Sequence, residues 1–126
     1  MKWPFRRKKR PIWCRGEDLA ARYLRRNGYT ILERNAQFGR YEIDIIAQER
    51  DTIAFVEVKT RRDDEVAAPE DSVGSMKRRH IRAAAHRYID RRNDPRVYYR
   101  FDVVAVLLPE RGKPVVTLFR DAFRDE

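Results

Sequence analysis

One cysteine, two histidines and five glycines are all that this 126-residue chain contains of those types, and each scarcity removes a class of protein. Cys14 alone cannot close an intrachain disulfide, which fits a reducing, cytoplasmic setting. Cys14, His80 and His86 fall short of a four-ligand structural zinc site, and the two histidines, six residues apart, do not share a helical face in the usual ligand geometry. They read as solvated or phosphate-facing. No stretch reaches the ~18 apolar residues of a membrane span. No apolar segment follows the basic N-terminal residues, so they do not make a secretory signal. There is no internal repeat and no sign of a second domain.

Charge is what the chain has in excess. Charged residues make up 39% and the net charge is +9, against about 25% charged in ordinary globular chains. The first 16 residues hold seven of the 29 basic residues (Lys2, Arg6, Arg7, Lys8, Lys9, Arg10, Arg15) and no acid, leaving 22 bases against 20 acids. The body is therefore nearly neutral, and the chain divides into a basic, flexible tail over 1–14 and one domain over 15–126, long enough to bury a core unaided. Interleaved with Trp3, Phe5 and Trp13, the basic run has the makings of a phosphate-neutralising, base-stacking segment, and equally those of a tail on an acidic surface.

Residues 16–27 read as a helix with Ala20, Tyr23 and Leu24 on one stripe and Gly28 as its stop. Glu17 falls on the buried side of that stripe, either as a first-turn acid complementing the helix dipole or as an inward-aimed carboxylate. A short strand over 29–32 leads to a polar turn at 33–35. Residues 41–47 alternate, with Tyr41, Ile43, Ile45 and Ala47 on one face and Glu42, Asp44 and Ile46 on the other. A hairpin loop at 49–52 precedes a strand over 53–60, and an irregular connection covers 61–75. A helix over 76–92 buries Ile81, Ala84, Ala85, Tyr88 and Ile89, with Lys77 inward near its start. Its outer flank of Arg79, Arg82 and His86 is a solvated face or a phosphate-tracking one. Two more strands, 101–108 and 114–119, complete the chain.

The centre of this arrangement is Phe55-Val56-Glu57-Val58-Lys59, an apolar strand carrying an acid and a base on one face. A regular hairpin pairs Gln48 with Ile53, which sets Asp44 opposite Glu57 and Glu42 opposite Lys59. Opposed residues in a sheet have Cβ atoms roughly 4.5–5.5 Å apart, and like charges there are destabilising. Asp44 and Glu57 thus call for a cation, either Lys59 or a divalent ion. Two carboxylates with a strand carbonyl and waters make the hard oxygen set that suits Mg²⁺.

An Asp44, twelve residues, then Glu57-x-Lys59 on successive strands resembles the PD-(D/E)xK nuclease superfamily. The likeness is wider: Arg15-Gly16-Glu17, Gly28-Tyr29-x-Ile31-Leu32-Glu33-Arg34-Asn35, Glu42-Ile43-Asp44-Ile45-Ile46, Phe55 to Arg61, Lys77 and Arg100-Phe101-Asp102-Val103-Val104 are similar to the YraN-like family of small bacterial proteins. It runs from about Arg15 to Phe123. It implies an α/β fold with a restriction-endonuclease-like core, a mixed five-stranded sheet flanked by helices in the order α-β-β-β-α-β-β. It implies Mg²⁺ or Mn²⁺ held by Asp44 and Glu57, with Lys59 positioning or activating water and Glu17 as an auxiliary carboxylate. The activity implied is phosphodiester hydrolysis, with DNA favoured over RNA, branched DNA included, no membrane, and a homodimer as in related junction-cutting enzymes. Nucleic-acid contacts are expected from Arg7, Lys8, Lys9, Arg10, Arg15, Lys77, Arg79 and Arg82. The alternative is a non-catalytic nucleic-acid-binding module on the same fold. One departure stands out: the family usually has Gly where this chain has Tyr41, and a ring there either narrows the approach of a phosphate backbone or packs beneath the sheet.

Overall fold

The computed structural model describes residues 12–62 and 73–124. Seven elements follow one another in the expected order: α1 (Ile12–Arg26), β1 (Thr30–Phe38), β2 (Tyr41–Glu49), β3 (Thr52–Arg62), α2 (Ser75–Arg92), β4 (Tyr98–Leu108) and β5 (Val115–Phe123). Helix α1 starts four residues ahead of Gly16, so residues 12–14, read from sequence as the end of the tail, are its first turn. It stops where expected. Gly28 takes φ 90°, and the Tyr29 N–H donates to the Leu24 carbonyl at 3.0 Å. Of the connection read as irregular, residues 61 and 62 extend β3 and Ser75 opens α2, while 63–72 lie outside the described residues.

The strands form one mixed sheet in the order β1-β2-β3-β4-β5. Only β3 and β4 run parallel, with α2 in the crossover between them; the other pairs are antiparallel. Each helix covers one face. Ala20, Ala21 and Leu24 of α1 pack with Ile45, Val56 and Val104. Ile81, Ala84, Ala85 and Tyr88 of α2 pack with Ile46, Phe55 and Val103 on the other side. Strands buried on both faces have no polar alternation to keep, which is why β3 and β4 are nearly continuous apolar runs.

Two local readings are corrected. The polar stretch 33–35 is not a turn: β1 continues to Phe38, and the chain reverses at Gly39 and Arg40. As an edge strand, β1 can carry polar side chains without burying them. The β2–β3 loop is also tighter than expected, because Glu49 pairs with Thr52, leaving Arg50 (φ 56°) and Asp51 as the turn; the pairing of Gln48 with Ile53 holds.

The larger correction concerns faces. Ile45 and Ala47 face α1, as alternation requires, but Ile43 and Tyr41 pack with Ile46 on the α2 side. The period of two breaks at Asp44. Its counterpart across the ladder breaks too: Arg34 pairs with Ile45 and Ala36 with Ile43, and Asn35 between them sits at φ 51°. One left-handed residue opposite one irregular residue turns the distal β1–β2 ribbon over as a unit. Ala36, Phe38, Tyr41 and Ile43 then pack toward α2, while Gln37 and Glu42 stay paired by a 2.9 Å hydrogen bond.

On β4, where it pairs with Val56 of β3, Asp102 has no solvent exposure and anchors a polar network. It accepts hydrogen bonds from the Tyr29 hydroxyl (3.1 Å), Arg100 Nε (3.0 Å) and the Asp121 N–H (2.9 Å). Arg100 also donates to Glu49 at 2.9 Å and holds that carboxyl below its usual range. Truncating Asp102 removes the acceptor of Arg100 Nε and of two neutral donors, leaving Arg100 only Glu49 as a charged partner. Asp102→Ala is expected to lose about 3–5 kcal/mol in urea denaturation with little change in the slope of the transition; a loss under about 1 kcal/mol would show the network to be dispensable.

Candidate metal centre

Glu57 stands near the end of the buried part of β3, on the α2 side with Phe55, and is 4% exposed. The Lys77 ammonium, in the first turn of α2, lies 3.6 Å from Glu57 Oε1. Oε2 is fully buried and has no hydrogen-bond partner. The Asp44 carboxyl is set against the same side chain within hydrogen-bonding reach, a bond that forms only if a proton lies between the two acids. Burial, and then the charge of Asp44, push Glu57 up to about 8, against the opposing pull of Lys77 and, more weakly, Lys59.

Asp44 sits at the face switch. The β2–β3 ladder ends at the Ile45–Val56 pair, and beyond it the Val58 N–H donates to Asp44 Oδ2 at 2.8 Å. The side chain thus replaces a main-chain bond and pins Asp44 to the strand that carries Glu57. The ladder does not continue to a Glu42–Lys59 pair, contrary to the register extrapolated from sequence; the two residues instead line one cavity.

Glu17 approaches Asp44 from the α1 side. It is 7% exposed, and its carboxyl is raised by burial first and by Asp44 second. Gly16 makes the approach possible: a Cβ there would lie 1.8 Å from Thr60 Oγ1 and 2.9 Å from Thr60 Cβ, so any larger residue would push α1 away from β3. With its amide oriented to pair donors with acceptors, Asn35 donates to Glu17 Oε1 (2.8 Å) and Glu42 Oε1 (2.9 Å). Glu17, Asn35, Glu42, Asp44, Val58, Lys59 and Thr60 line an open cavity of about 380 Å³.

Glu57 and Glu17 are therefore both set against Asp44, Lys59 lies in the cavity wall, and Lys77 is on Glu57. Arg15 and Arg79 are exposed and Arg82 donates to the Arg124 carbonyl at 3.3 Å, none of them against the acids. Arg7, Lys8, Lys9 and Arg10 lie outside the described residues. Sequence reasoning missed Asn35 and Gly16. Glycine just ahead of an inward-facing acid in a helix was the available signal for the second; Asn35 was hidden in an apparent turn.

Among the described residues no three His, Cys, Asp or Glu side chains converge as a preformed cage. The donors present still fit a hard divalent cation. Glu57 has an orphaned buried oxygen beside a second carboxyl, and two carboxylates with a main-chain oxygen and waters form a low-protein-ligand set of the kind Mg²⁺ accepts.

Fold and site together define a small α/β protein with a buried glutamate set against a second carboxyl where two central strands part. The profile of "Uncharacterised protein family UPF0102" matches residues 16–106. Similar proteins include UPF0102 proteins of Caldicellulosiruptor saccharolyticus (38% identical, covering 91% of this chain and 98% of the relative) and Chlorobium phaeobacteroides (41%, covering 91% and 94%). A third, from Syntrophotalea carbinolica, is 47% identical over 72% of this chain and 74% of its own. The chain belongs to the UPF0102 family, as the YraN-like pattern implied.

Two measurements probe this geometry. Because the folded-state value of Glu57 lies above the unfolded 4.5, the metal-free native protein keeps a proton that the unfolded chain releases. That contribution is complete below about pH 4.5 and is lost as pH rises through about 8. Glu57→Gln, which keeps the shape and supplies a permanent donor to Asp44, should melt higher than the parent at pH 8 in EDTA and lose this part of the pH dependence. Parallel curves for the two proteins would mean that Glu57 ionises normally.

Asn35→Asp tolerates the same backbone but exchanges a donor for an acid between two acids. It is expected to cost about 1–3 kcal/mol at neutral pH, whereas Asn35→Gly should keep the turn-over of the ribbon and cost less. Equal losses for the two variants would assign Asn35 to backbone conformation alone.

Proposed function

We propose that this protein is a metal-dependent nuclease that hydrolyses phosphodiester bonds in nucleic acid, with Mg²⁺ or Mn²⁺ as cofactor and DNA, branched DNA included, favoured over RNA. The observation that carries the reading is the buried Glu57 with an orphaned oxygen beside Asp44. Two acids placed together in a low-dielectric site cost folding energy, and such a cost is the usual mark of a site kept for activity.

Asp44 and Glu57 would hold the ion, with the Val58 carbonyl as a main-chain candidate. When bound, it would act as a Lewis acid on the phosphate and lower the pKa of a water. The chain's own groups do the rest. The Val58 N–H fixes one oxygen of Asp44 and leaves the other to coordinate. Lys59, in the cavity wall, can orient water or offset developing charge, and Glu17, raised by burial, can hold a proton near Asp44. Lys77 limits the repulsion within the pair.

The same ion pair favours a second reading, a nucleic-acid-binding module in which Lys77 already satisfies Glu57 and the acids serve the fold. Cleavage and melting of Glu57→Gln separate the two. The nuclease reading expects cleavage of branched or single-stranded DNA in Mg²⁺ or Mn²⁺ to fall by about a hundredfold or more, with binding retained. A parent that cuts no branched, single-stranded or duplex substrate, together with a variant that melts well below it at pH 8, would favour the binding module.

A further inference from the structure

One flank of α2 and the β1–β2 hairpin carry a set of cations that the acidic centre does not use. His80 stacks on Tyr41, with ring centroids 5.0 Å apart and planes 37° from parallel. The Arg40 and Arg87 guanidiniums lie 5.4 Å and 5.8 Å from the centre of the same ring. Arg91 lies 5.1 Å over Phe38. The end of Arg87 fills the space where Gly39 would carry a Cβ. Positions 80, 87 and 91 fall on one helical flank, and Lys77 to Arg91 spans about 21 Å along the axis at 1.5 Å per residue.

We infer that this flank is a docking surface for a nucleic-acid strand, with Arg40, Arg87 and Arg91 engaging its phosphates and Lys77 leading that strand toward Glu57. The inference rests on the nucleic-acid reading above and adds to it a surface and a path. A guanidinium resting over a ring keeps most of its five N–H groups for oxyanion contacts, even though Arg40 gives one to the Tyr41 hydroxyl at 3.3 Å and one end of Arg87 sits against Gly39. None of the three arginines is ion-paired with an acid among the described residues. Asp90, beside Arg91 in sequence, instead lines a concavity with Asn93, Asp94 and Tyr99. Rings that hold three arginines in place reduce the side-chain ordering that binding would otherwise require. A row of positive charge without intervening acids is complementary to a phosphodiester chain and to little else of comparable length.

The test is binding of a fluorescein-labelled oligothymidylate to the full chain in EDTA across a salt series, so that cleavage plays no part. Arg40→Gln/Arg87→Gln/Arg91→Gln keeps part of each stem and removes the charge; its log-log salt slope should be shallower by about 2, at about 0.7 per single-strand phosphate contact. Arg→Lys at the same positions should restore the slope. The control, Arg22→Gln/Arg25→Gln/Arg26→Gln, removes equal charge from exposed positions of α1 on the opposite face and should leave the slope unchanged. Should the triple variant not fold, Arg40→Gln alone, in the exposed hairpin turn, should shed about 0.7. Equal slopes for test and control variants, or a parent that does not bind, would overturn the inference. A parent that binds but never cuts would refute the nuclease reading and leave this surface standing.

Discussion

Glu57, buried beside the Asp44 carboxyl, carries charge only at a cost unless a cation stands by, and much of the surrounding structure follows from that. Glu57 is 4% exposed, with one oxygen on Lys77 and the other without a donor. Lys77 is itself in a costly place. The first turn of α2 holds no acid, Gly74 gives no side-chain cap, and a basic residue there opposes the helix dipole. A helix built for its own stability would carry the opposite charge at that end. The positive first turn makes sense because it stands over an acid that needs it.

Asp44 is the joint between two layers. It reaches Glu57 on the α2 side, Glu17 on the α1 side and the Val58 N–H along the sheet. A regular strand residue points to one face only, so this triple reach requires the irregular backbone that Asn35 and Asp44 create together. Asn35 serves twice, through a left-handed backbone that asparagine tolerates better than most residues and through an amide that sits between Glu17 and Glu42. Gly16 completes the arrangement by letting α1 close on Thr60.

The element order, the parity of the β2–β3 hairpin and the inward aim of Glu17 and Lys77 were all readable from sequence, because each depends on spacing within one element or across one turn. The face switch was not. Residues 41–47 alternate without a flaw, and Ile43 and Ile45 are equally apolar whichever face they take, so binary pattern cannot register the break between them. Its only trace is Asn35, whose polar neighbours Glu33 and Arg34 make an edge strand look like a turn. The early start of α1 was hidden for a related reason: charge density in the first 16 residues reads as tail whether or not its end is helical.

The same switch decides what Tyr41 means. On a regular strand, Tyr41 would lie on the face opposite Glu42 and Asp44, with Ile43 and Ile45 against α1, and its ring would pack beneath the sheet. In the turned ribbon Tyr41 packs against α2, held by His80, Arg40 and Arg87, while Glu42 and Asp44 line the acidic cavity. The Tyr41 ring therefore stands apart from the carboxylates and belongs to the cationic flank. A glycine at this position would give Arg40 and Arg87 no ring to rest on. They would then be ordered only by whatever they contact, and on the proposed function the difference would fall on how firmly a strand is held rather than on the chemistry proposed at Glu57.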